Sequence, residues 1–242
     1  MKQAQGGPLL AVDGLTVSFD RVPVLTGMSL EVFEGQIAAL VGPDGAGKTT
    51  LLNTISGLIR PDQGRILFLG EPLENLPVWE IVRRGVVYVP EQSGIFARMS
   101  VLENLEIGAY HNREQLKPRL AEVFQVFPEL KELRHTPAGV LSGGQQRLVA
   151  LGRGLMAGAR LLLLDDPFLG LSPRLVRRLC DTFRQLIARG MTLLVASQYA
   201  HRILQVADSA YLVEEGRITL SGAGPEILRD QHLHQVLFAP DV

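Results

Sequence analysis

The fold of this chain is decided by the stretch Gly42-Pro43-Asp44-Gly45-Ala46-Gly47-Lys48-Thr49. The stretch follows the continuous apolar run Ile37–Val41, which is typical of a strand buried on both faces. It leads into Thr50-Leu51-Leu52, where a helical pattern begins. Glycines let the backbone turn tightly around an anion, and the N–H groups of a helix N-terminus point at that anion. The stretch therefore predicts a phosphate-binding loop between a strand and a helix.

Two side chains of this loop have predicted tasks of their own. Lys48 adds a mobile positive charge suited to the β- and γ-phosphates of a nucleotide. The Thr49 hydroxyl is an oxygen ligand for Mg²⁺, which keeps several waters and needs few protein ligands. We therefore predict that the loop binds a nucleoside triphosphate with Mg²⁺. The residues assigned to the nucleotide are Gly42, Asp44, Gly45, Ala46, Gly47, Lys48, Thr49 and Thr50.

A carboxylate that suits the same metal ends a second buried strand. Four leucines are followed by Asp165, which can hold the water shell of Mg²⁺. Many buried strands end in an aspartate, so this signal is weak by itself. Together with the phosphate loop it predicts a metal site formed by Thr49 and Asp165.

The remaining apolar patterns predict an α/β fold with a largely parallel sheet, because strands alternate with helices. Helical spacing spans residues 116–133, where Pro128 divides the run, and residues 175–187, where Ser172 can cap the start. Residues 211–213 and 218–220 flank a turn and predict a hairpin. The predicted strands are 15–19, 28–33, 37–41, 66–69, 86–89, 161–164 and 193–196.

Composition indicates which partners, which redox compartment and which membrane segments this chain can have. The formal net charge of −1 gives no support for a nucleic-acid partner, which usually requires a basic excess. The single cysteine, Cys180, cannot form an intrachain disulfide, which fits a reducing compartment. Residues 1–13 lack the pattern of a signal peptide, and no run approaches the ~20 apolar residues of a membrane span. We expect that any membrane role depends on other chains.

A second anion site is predicted at Leu141-Ser142-Gly143-Gly144-Gln145. Ser142 can cap a helix from about Gly143 to Met156, and the two glycines leave the backbone open at its N-terminus. Since the chain has one triphosphate loop, the second site suggests that it reads the nucleotide of a partner. An ordinary helix cap is the alternative reading of this pentapeptide.

LSGGQ at 141–145, GPDGAGKTT upstream and LLLLDDP downstream together resemble the ABC (ATP-binding cassette) ATPase family over nearly the whole chain. The resemblance implies a phosphate-loop (RecA-like) ATPase core with an N-terminal antiparallel β subdomain and an inserted helical lobe. The core would comprise residues 1–97 and 158–242, and the helical lobe residues 98–157. It also implies a head-to-tail dimer, homo- or heteromeric, in which each ATP lies between one subunit's Lys48 loop and the other's Ser142, Gly143, Gly144 and Gln145.

Further family positions follow from the resemblance. Phe19 corresponds to the aromatic that stacks on adenine, although a core aromatic at a strand end is an alternative. Glu91 stands where the family usually has a glutamine that reaches Mg²⁺ and senses the transporter. Asp166 stands where the general-base glutamate is usual, and Gln198 where a phosphate-sensing histidine is usual. Residues 169–172 match the loop that crosses the dimer, without its usual aspartate.

Asp166 predicts slow hydrolysis, because its carboxylate reaches about 1.5 Å less far than that of glutamate. An error of 1 Å in placing a catalytic group can lower a rate about 10²-fold. Asp44, where asparagine is usual, adds a negative charge beside the phosphates. We expect normal ATP binding with slowed turnover, unless backbone adjustment or a second water restores the reach.

Subfamily features favour an ATP-binding subunit of an importer. The segments VPE (89–91), LGLSP (169–173) and RMSVLENLEIGAY (98–110) resemble branched-chain amino-acid importer subunits, whereas residues 224–238 also resemble lipopolysaccharide-export ATPases. The resemblance implies transmembrane permease subunits, a second ATP-binding subunit, indirectly a solute-binding protein, and a place at the cytoplasmic face of the bacterial inner membrane. A regulatory cassette with little turnover is an alternative. Chromosome and repair types are disfavoured, because the 50 positions between Glu91 and Leu141 leave no room for a coiled coil.

Overall fold

The structure is a computed structural model that describes residues 7–92 and 94–237. Residues 1–6 of the stretch 1–13 and residue 238 of the stretch 224–238 lie outside the described residues, as do the outer ends of the predicted core. The strands are β1 (Leu10–Phe19), β2 (Val22–Val32), β3 (Ile37–Val41), β4 (Gln63–Phe68), β5 (Glu71–Pro72), β6 (Val86–Val89), β7 (Leu161–Asp165), β8 (Thr192–Ser197), β9 (Ser209–Glu214) and β10 (Arg217–Gly222).

A six-stranded sheet forms the centre of the molecule, in the order β10-β9-β3-β8-β7-β6. Strands β6, β7, β8, β3 and β9 pair in parallel, and β10 alone is antiparallel, as the second strand of the predicted hairpin. Strands β3, β7 and β8 are buried along their whole length, which agrees with their continuous apolar sequences. The prediction of a largely parallel sheet is confirmed.

A second, four-stranded sheet has the order β2-β1-β4-β5 and is antiparallel throughout. It confirms the predicted N-terminal β subdomain, but β1 and β2 begin earlier than their apolar patterns indicate. The pairing of these two strands shifts register between Val12 and Leu15, around Gly14, and again near Val17. A bulge interrupts the alternation of buried side chains, so the pattern predicts only one part of each strand.

Helices cover both faces of the central sheet. They are α1 (Lys48–Ile55), α2 (Val78–Arg84), α3 (Val101–Gly108), α4 (Leu116–Val126), α5 (Pro128–Glu132), α6 (Gly143–Met156), α7 (Pro173–Ala188), α8 (Ala200–Leu204), α9 (Gly224–Ile227) and α10 (Gln231–Leu237). Helix α7 begins as predicted, with the Ser172 hydroxyl accepting a hydrogen bond from the Leu175 N–H. No helix in the described ranges is long and apolar enough to span a membrane.

Helices α3 to α6 lie between β6 and β7 in the chain and form the inserted helical segment that the resemblance implies. Pro128 is the first residue of α5 and separates it from α4, as predicted. These four helices pack on one another through an apolar core that they share with one face of the sheet, with Leu105, Val123, Leu130, Leu148 and Met156 among its members. The exact division of the chain at 97/98 and 157/158 stays a prediction.

The parallel strands place the chemically important segments at one edge of the sheet. The phosphate loop follows β3, Glu91 follows β6, Asp165 ends β7 and Gln198 follows β8. All four positions are at the carboxyl ends of parallel strands, where α/β sheets commonly bind ligands.

Candidate functional site

The phosphate loop turns from β3 into α1 through glycines, two of which leave no room for a side chain. Gly47 has φ 103°, in the left-handed region. A Cβ atom at Gly42 would lie 2.1 Å from the carbonyl oxygen of Val213 on β9. The turn after β9 also supports the loop, because the Gly216 N–H donates to the Ala46 carbonyl at 3.0 Å. The loop conformation therefore depends on the central sheet as well as on local sequence.

Lys48 is the first residue of α1, and only 5% of it is exposed. Its ammonium donates to the carbonyl oxygens of Gly42 at 2.7 Å and Pro43 at 2.8 Å, so it lies directly against the loop. Burial lowers the pKa of Lys48, and the carboxylates of Asp166, Asp44 and Asp165 act in the opposite direction. A phosphate bound in the loop would meet this charge at short range.

Thr49 and Asp165 meet at the same edge. The Thr49 hydroxyl donates to Oδ1 of Asp165 at 3.1 Å, and the Tyr88 hydroxyl donates to Oδ2 at 2.9 Å. Asp165 is 2% exposed, and burial raises its pKa, while the two hydrogen bonds and Lys48 oppose that rise. A hydroxyl and a carboxylate side by side supply the hard oxygen donors that Mg²⁺ prefers, so these residues fit that ion.

Asp166 lies directly after β7 with φ 36°, an unusual conformation for a residue other than glycine. Its N–H donates to the Ala196 carbonyl at 2.9 Å, which extends the pairing of β7 with β8. Its side-chain Oδ1 accepts the backbone N–H of Gln198 at 3.0 Å. The buried carboxylate is thereby joined to the backbone of the loop after β8.

Arg147 connects helix α6 to the end of the sheet. Its guanidinium donates to the carbonyl of Pro90 at 3.0 Å and to the carbonyl of Asp166 at 3.3 Å. Burial lowers the pKa of Arg147, and Glu91, Asp166 and Asp165 counter the effect. Glu91 itself is exposed, one residue after Pro90. The inserted helices are therefore in direct contact with the loop that carries Glu91.

The LSGGQ segment opens helix α6 with two reciprocal hydrogen bonds. The Ser142 hydroxyl accepts the Gln145 N–H at 3.4 Å, and the Gln145 side-chain oxygen accepts the Ser142 N–H at 3.0 Å. Ser142 and Gly143 are exposed, so the N-terminus of this 14-residue helix faces solvent. The hydrogen bonds of the Ser142 side chain lie within its own segment, apart from those of the phosphate loop.

Phe19 ends β1 and is 47% exposed. Phe19 was interpreted either as a ring that stacks on adenine or as part of the core. Its exposure disfavours the core interpretation. A half-exposed ring at the end of a strand is available to stack on a ligand.

A comparison with known families gives the class of the molecule. The family model described as "ABC transporter" matches residues 25–169, which include both the phosphate loop and LSGGQ. The chain belongs to the ABC transporter family. It is an ATP-binding subunit of that family, whose members hydrolyse ATP and work with transmembrane permease subunits.

Relatives of this cassette include ATP-binding proteins of amino acid transport and of lipopolysaccharide export. It is 37% identical to the high-affinity branched-chain amino acid transport ATP-binding protein BraG of Pseudomonas aeruginosa, over 91% of this chain and 95% of BraG. It is 33% identical to the lipopolysaccharide export system ATP-binding protein LptB of Haemophilus influenzae, over 94% of this chain and 96% of LptB. A crystal structure of an ATP-binding cassette of an ABC transporter in its ADP conformation superposes with a TM-score of 0.85 at 28% identity, covering 96% and 98% of the two chains. The expected fold of the cassette, a phosphate-loop ATPase core with its two additional parts, is confirmed.

Two residues of the cassette site were missed by the sequence reasoning. Tyr88 is the one polar side chain in the apolar strand β6, and Arg147 is the one charged residue in the first two turns of α6. A polar group within an otherwise apolar pattern was the available signal. Their partners are 77 and 57 positions away in the chain, and no local pattern identifies partners at such a separation.

Proposed function

We propose that this cassette binds Mg-ATP, closes as a head-to-tail dimer around two nucleotides, and energises the import of a small polar solute through permease subunits. The observation that carries the proposal is the cluster at the carboxyl edge of the central sheet. There the Lys48 ammonium lies against the phosphate loop, and the Thr49 hydroxyl contacts the Asp165 carboxylate at 3.1 Å.

In the bound state, the backbone N–H groups of the loop would surround the phosphates, and Lys48 would turn from the loop carbonyls to the β- and γ-phosphates. Thr49 would hold Mg²⁺ directly and Asp165 would hold its water shell. Held there, the metal would supply positive charge that offsets the negative charge of the phosphates. Phe19, exposed at the end of β1, would stack on the adenine.

The exposed N-terminus of α6 supports the proposed dimer. Its capping box satisfies the N–H groups of Ser142 and Gln145, so the glycine N–H groups between them and the helix dipole remain for an anion. The side-chain hydrogen bonds of Ser142 stay within its own segment and include none to the phosphate loop. We therefore assign this end of α6 to the nucleotide held by a second ATP-binding subunit.

Hydrolysis is assigned to Asp166 as general base, with Gln198 and Glu91 beside the γ-phosphate and the metal. The hydrogen bond from the Gln198 N–H engages one oxygen of the Asp166 carboxylate, and the side chain is short. Both features support slow turnover, because a base that stands back from the attacking water transfers a proton less effectively. If turnover were very slow, the chain would act as a regulatory cassette that holds ATP without driving transport.

A groove between α2 and the end of α3 supports a permease contact. Its volume is about 720 Å³, and its rim carries Trp79 and Tyr110, which are 60% and 76% exposed. Arg83 lies over the Trp79 ring at 5.1 Å. Exposed aromatic and arginine side chains around an apolar hollow are typical of protein interfaces. We assign this groove, at the border of the helical segment, to a cytoplasmic segment of the permease.

Branched-chain or related amino acids are the proposed cargo, supplied by a solute-binding protein, and the cytoplasmic face of the inner membrane is the proposed location. The 37% identity to BraG supports this assignment. The 33% identity to LptB supports lipopolysaccharide export as the second candidate. Deletion of this chain from its source should lower uptake of labelled leucine, isoleucine or valine. Unchanged uptake with lipopolysaccharide retained at the inner membrane would favour the second candidate.

The nucleotide site is tested by the substitution Lys48→Ala, with ATP affinity measured by calorimetry in the presence of Mg²⁺. Loss of the charge-assisted bonds to phosphate should weaken binding about 10–100-fold. Lys117→Ala is the matched control, because Lys117 is exposed on α4 and should leave the affinity unchanged. Equal affinities for Lys48→Ala and the wild type would contradict the proposed site.

A further inference from the structure

The carboxylate of Asp165 is held by two hydroxyl groups, one on each oxygen. Thr49 donates to Oδ1 from the start of α1, and Tyr88 donates to Oδ2 from β6. Thr49 belongs to the family's nucleotide motif, whereas Tyr88 lies outside it. The Tyr88 contact therefore has no role in the functions assigned so far.

Strand pairing places Tyr88 where it can make this contact. Strands β6 and β7 are parallel, with Tyr88 opposite Leu163. Side chains two positions apart on a strand lie on the same face, so Tyr88, Leu163 and Asp165 share one face of the sheet. Apolar residues of the core beneath α1 pack against the Tyr88 ring. The ring is thus supported along its length and its hydroxyl is directed to the carboxylate.

A carboxylate with a single donor can rotate, because the terminal torsion of aspartate has a broad energy minimum. A second donor on the other oxygen fixes the plane of the group. Each oxygen has two lone pairs, so one acceptor position on each remains for water or a metal-bound water. The Tyr88 hydroxyl is the donor in the 2.9 Å contact, since the ionised carboxylate of Asp165 can only accept.

We propose that Tyr88 is a positioning residue for the Mg²⁺ site, which fixes the Asp165 carboxylate so that Oδ1 faces Thr49 and the bound metal. This inference rests on the proposed function, since it requires that Mg-ATP binds at Thr49 and Asp165. It assigns to Tyr88 no contact with the nucleotide. The residue acts only through the orientation of Asp165.

Tyr88→Phe removes the hydroxyl and keeps the ring. ATP affinity is measured by calorimetry over a series of Mg²⁺ concentrations and again in EDTA. We expect the variant to need about 10-fold more Mg²⁺ for tight ATP binding, at the lower end of the 10–100-fold losses seen when a partner of a metal ligand is removed. Affinity for ATP in EDTA should be unchanged, because the phosphate loop is intact.

Tyr211→Phe is the matched control. Tyr211 is also a half-buried tyrosine on a strand of the central sheet and packs against the same apolar core. Its hydroxyl donates to the backbone carbonyl of Glu31 at 2.6 Å, away from Asp165. The control loses a hydroxyl of the same kind and should keep the wild-type dependence on Mg²⁺. Thermal unfolding of both variants in EDTA should give similar midpoints.

Asp165→Asn provides an independent readout. If Tyr88 acts through the carboxylate, Tyr88→Phe should add no further loss of Mg²⁺ affinity to the Asp165→Asn variant. The inference is overturned by additive losses, by a Tyr88→Phe variant with the Mg²⁺ dependence of Tyr211→Phe, or by an equal loss of ATP affinity in EDTA. Failure of the proposed function is distinct, because the wild type itself would then bind no ATP with or without Mg²⁺.

Discussion

Whether this cassette hydrolyses ATP slowly depends on one residue, Asp166. Its backbone has φ 36°, and aspartate tolerates this conformation better than most side chains. Its N–H and its carboxylate both bond to the end of β8, at Ala196 and Gln198. The residue is therefore well suited to hold two strand ends together and less well suited to extend toward an attacking water.

Asp166→Glu should raise the rate of Mg-ATP hydrolysis about 10–100-fold, because the added methylene extends the carboxylate by about 1.5 Å past the Gln198 N–H. It should also lower the free energy of unfolding by about 1 kcal/mol, since glutamate is less tolerant of the left-handed region. Phosphate release and thermal unfolding measure the two effects. Asp166→Asn, which keeps the shape and removes the base, should hydrolyse no ATP. A wild-type rate equal to that of Asp166→Glu would refute the slowed-hydrolysis proposal.

At the scale of elements, the sequence predicted the helix starts, helix breaks and buried strands that depend on neighbouring residues. The caps at Ser142 and Ser172, the break at Pro128 and the buried strand Ile37–Val41 each follow from a few adjacent residues. The helix starts that follow the phosphate loop and Ser142 were predicted in the same way, whereas the roles of these residues toward a nucleotide stay predictions. The contacts of Tyr88 and Arg147 were not predicted, because each joins elements brought together only by the tertiary fold.

The hairpin of β9 and β10 is an element whose turn contacts the phosphate loop. Gly216 donates its N–H to Ala46 of the phosphate loop and accepts from the Thr26 N–H with its carbonyl. Gly216 has φ +74°, and a Cβ atom added to it would lie 2.1 Å from the carbonyl oxygen of Val24. The turn therefore fixes the distance between the N-terminal sheet and the phosphate loop.

Gly216→Ala should lower the free energy of unfolding by about 2–3 kcal/mol and also weaken ATP binding, because the clash displaces the turn from Ala46. Gly190→Ala is the control, since Gly190 has φ +85° and no atom within 4 Å of an added Cβ. The control should lose only about 1 kcal/mol for the backbone conformation. Denaturant unfolding and ATP calorimetry compare the two variants. Equal losses of stability and of ATP affinity would argue against a role of the Gly216 turn in holding the phosphate loop.

At the scale of the whole molecule, two different surfaces are assigned to two kinds of partner. The carboxyl edge of the central sheet carries the residues proposed to bind the nucleotide, and the groove between α2 and α3 carries exposed aromatic side chains. Arg147 joins α6 to the ends of β6 and β7, so it connects the inserted helices with the nucleotide edge. If a permease displaced the inserted helices, Arg147 would transmit the displacement to the backbone at Pro90, next to Glu91, and at Asp166.

Tyr110→Ala should weaken binding of the purified chain to membranes that carry the permease subunits by about 2 kcal/mol, or roughly 30-fold in Kd, as expected for an exposed aromatic anchor. ATP affinity in solution should be unchanged, since Tyr110 lies at the groove. Val22→Ala is the control, because Val22 is an exposed apolar residue on the N-terminal sheet. Equal retention of both variants on the membranes would exclude the groove as the permease contact.

The most direct test of the account is the mass of the purified wild-type chain by light scattering, without nucleotide and with saturating Mg-ATP. The account predicts a doubling of mass with Mg-ATP, because each triphosphate would lie between one subunit's Lys48 loop and the other's Ser142 segment. The doubled species should persist, since Asp166 slows hydrolysis. A chain that binds Mg-ATP tightly and keeps its monomer mass would contradict the account.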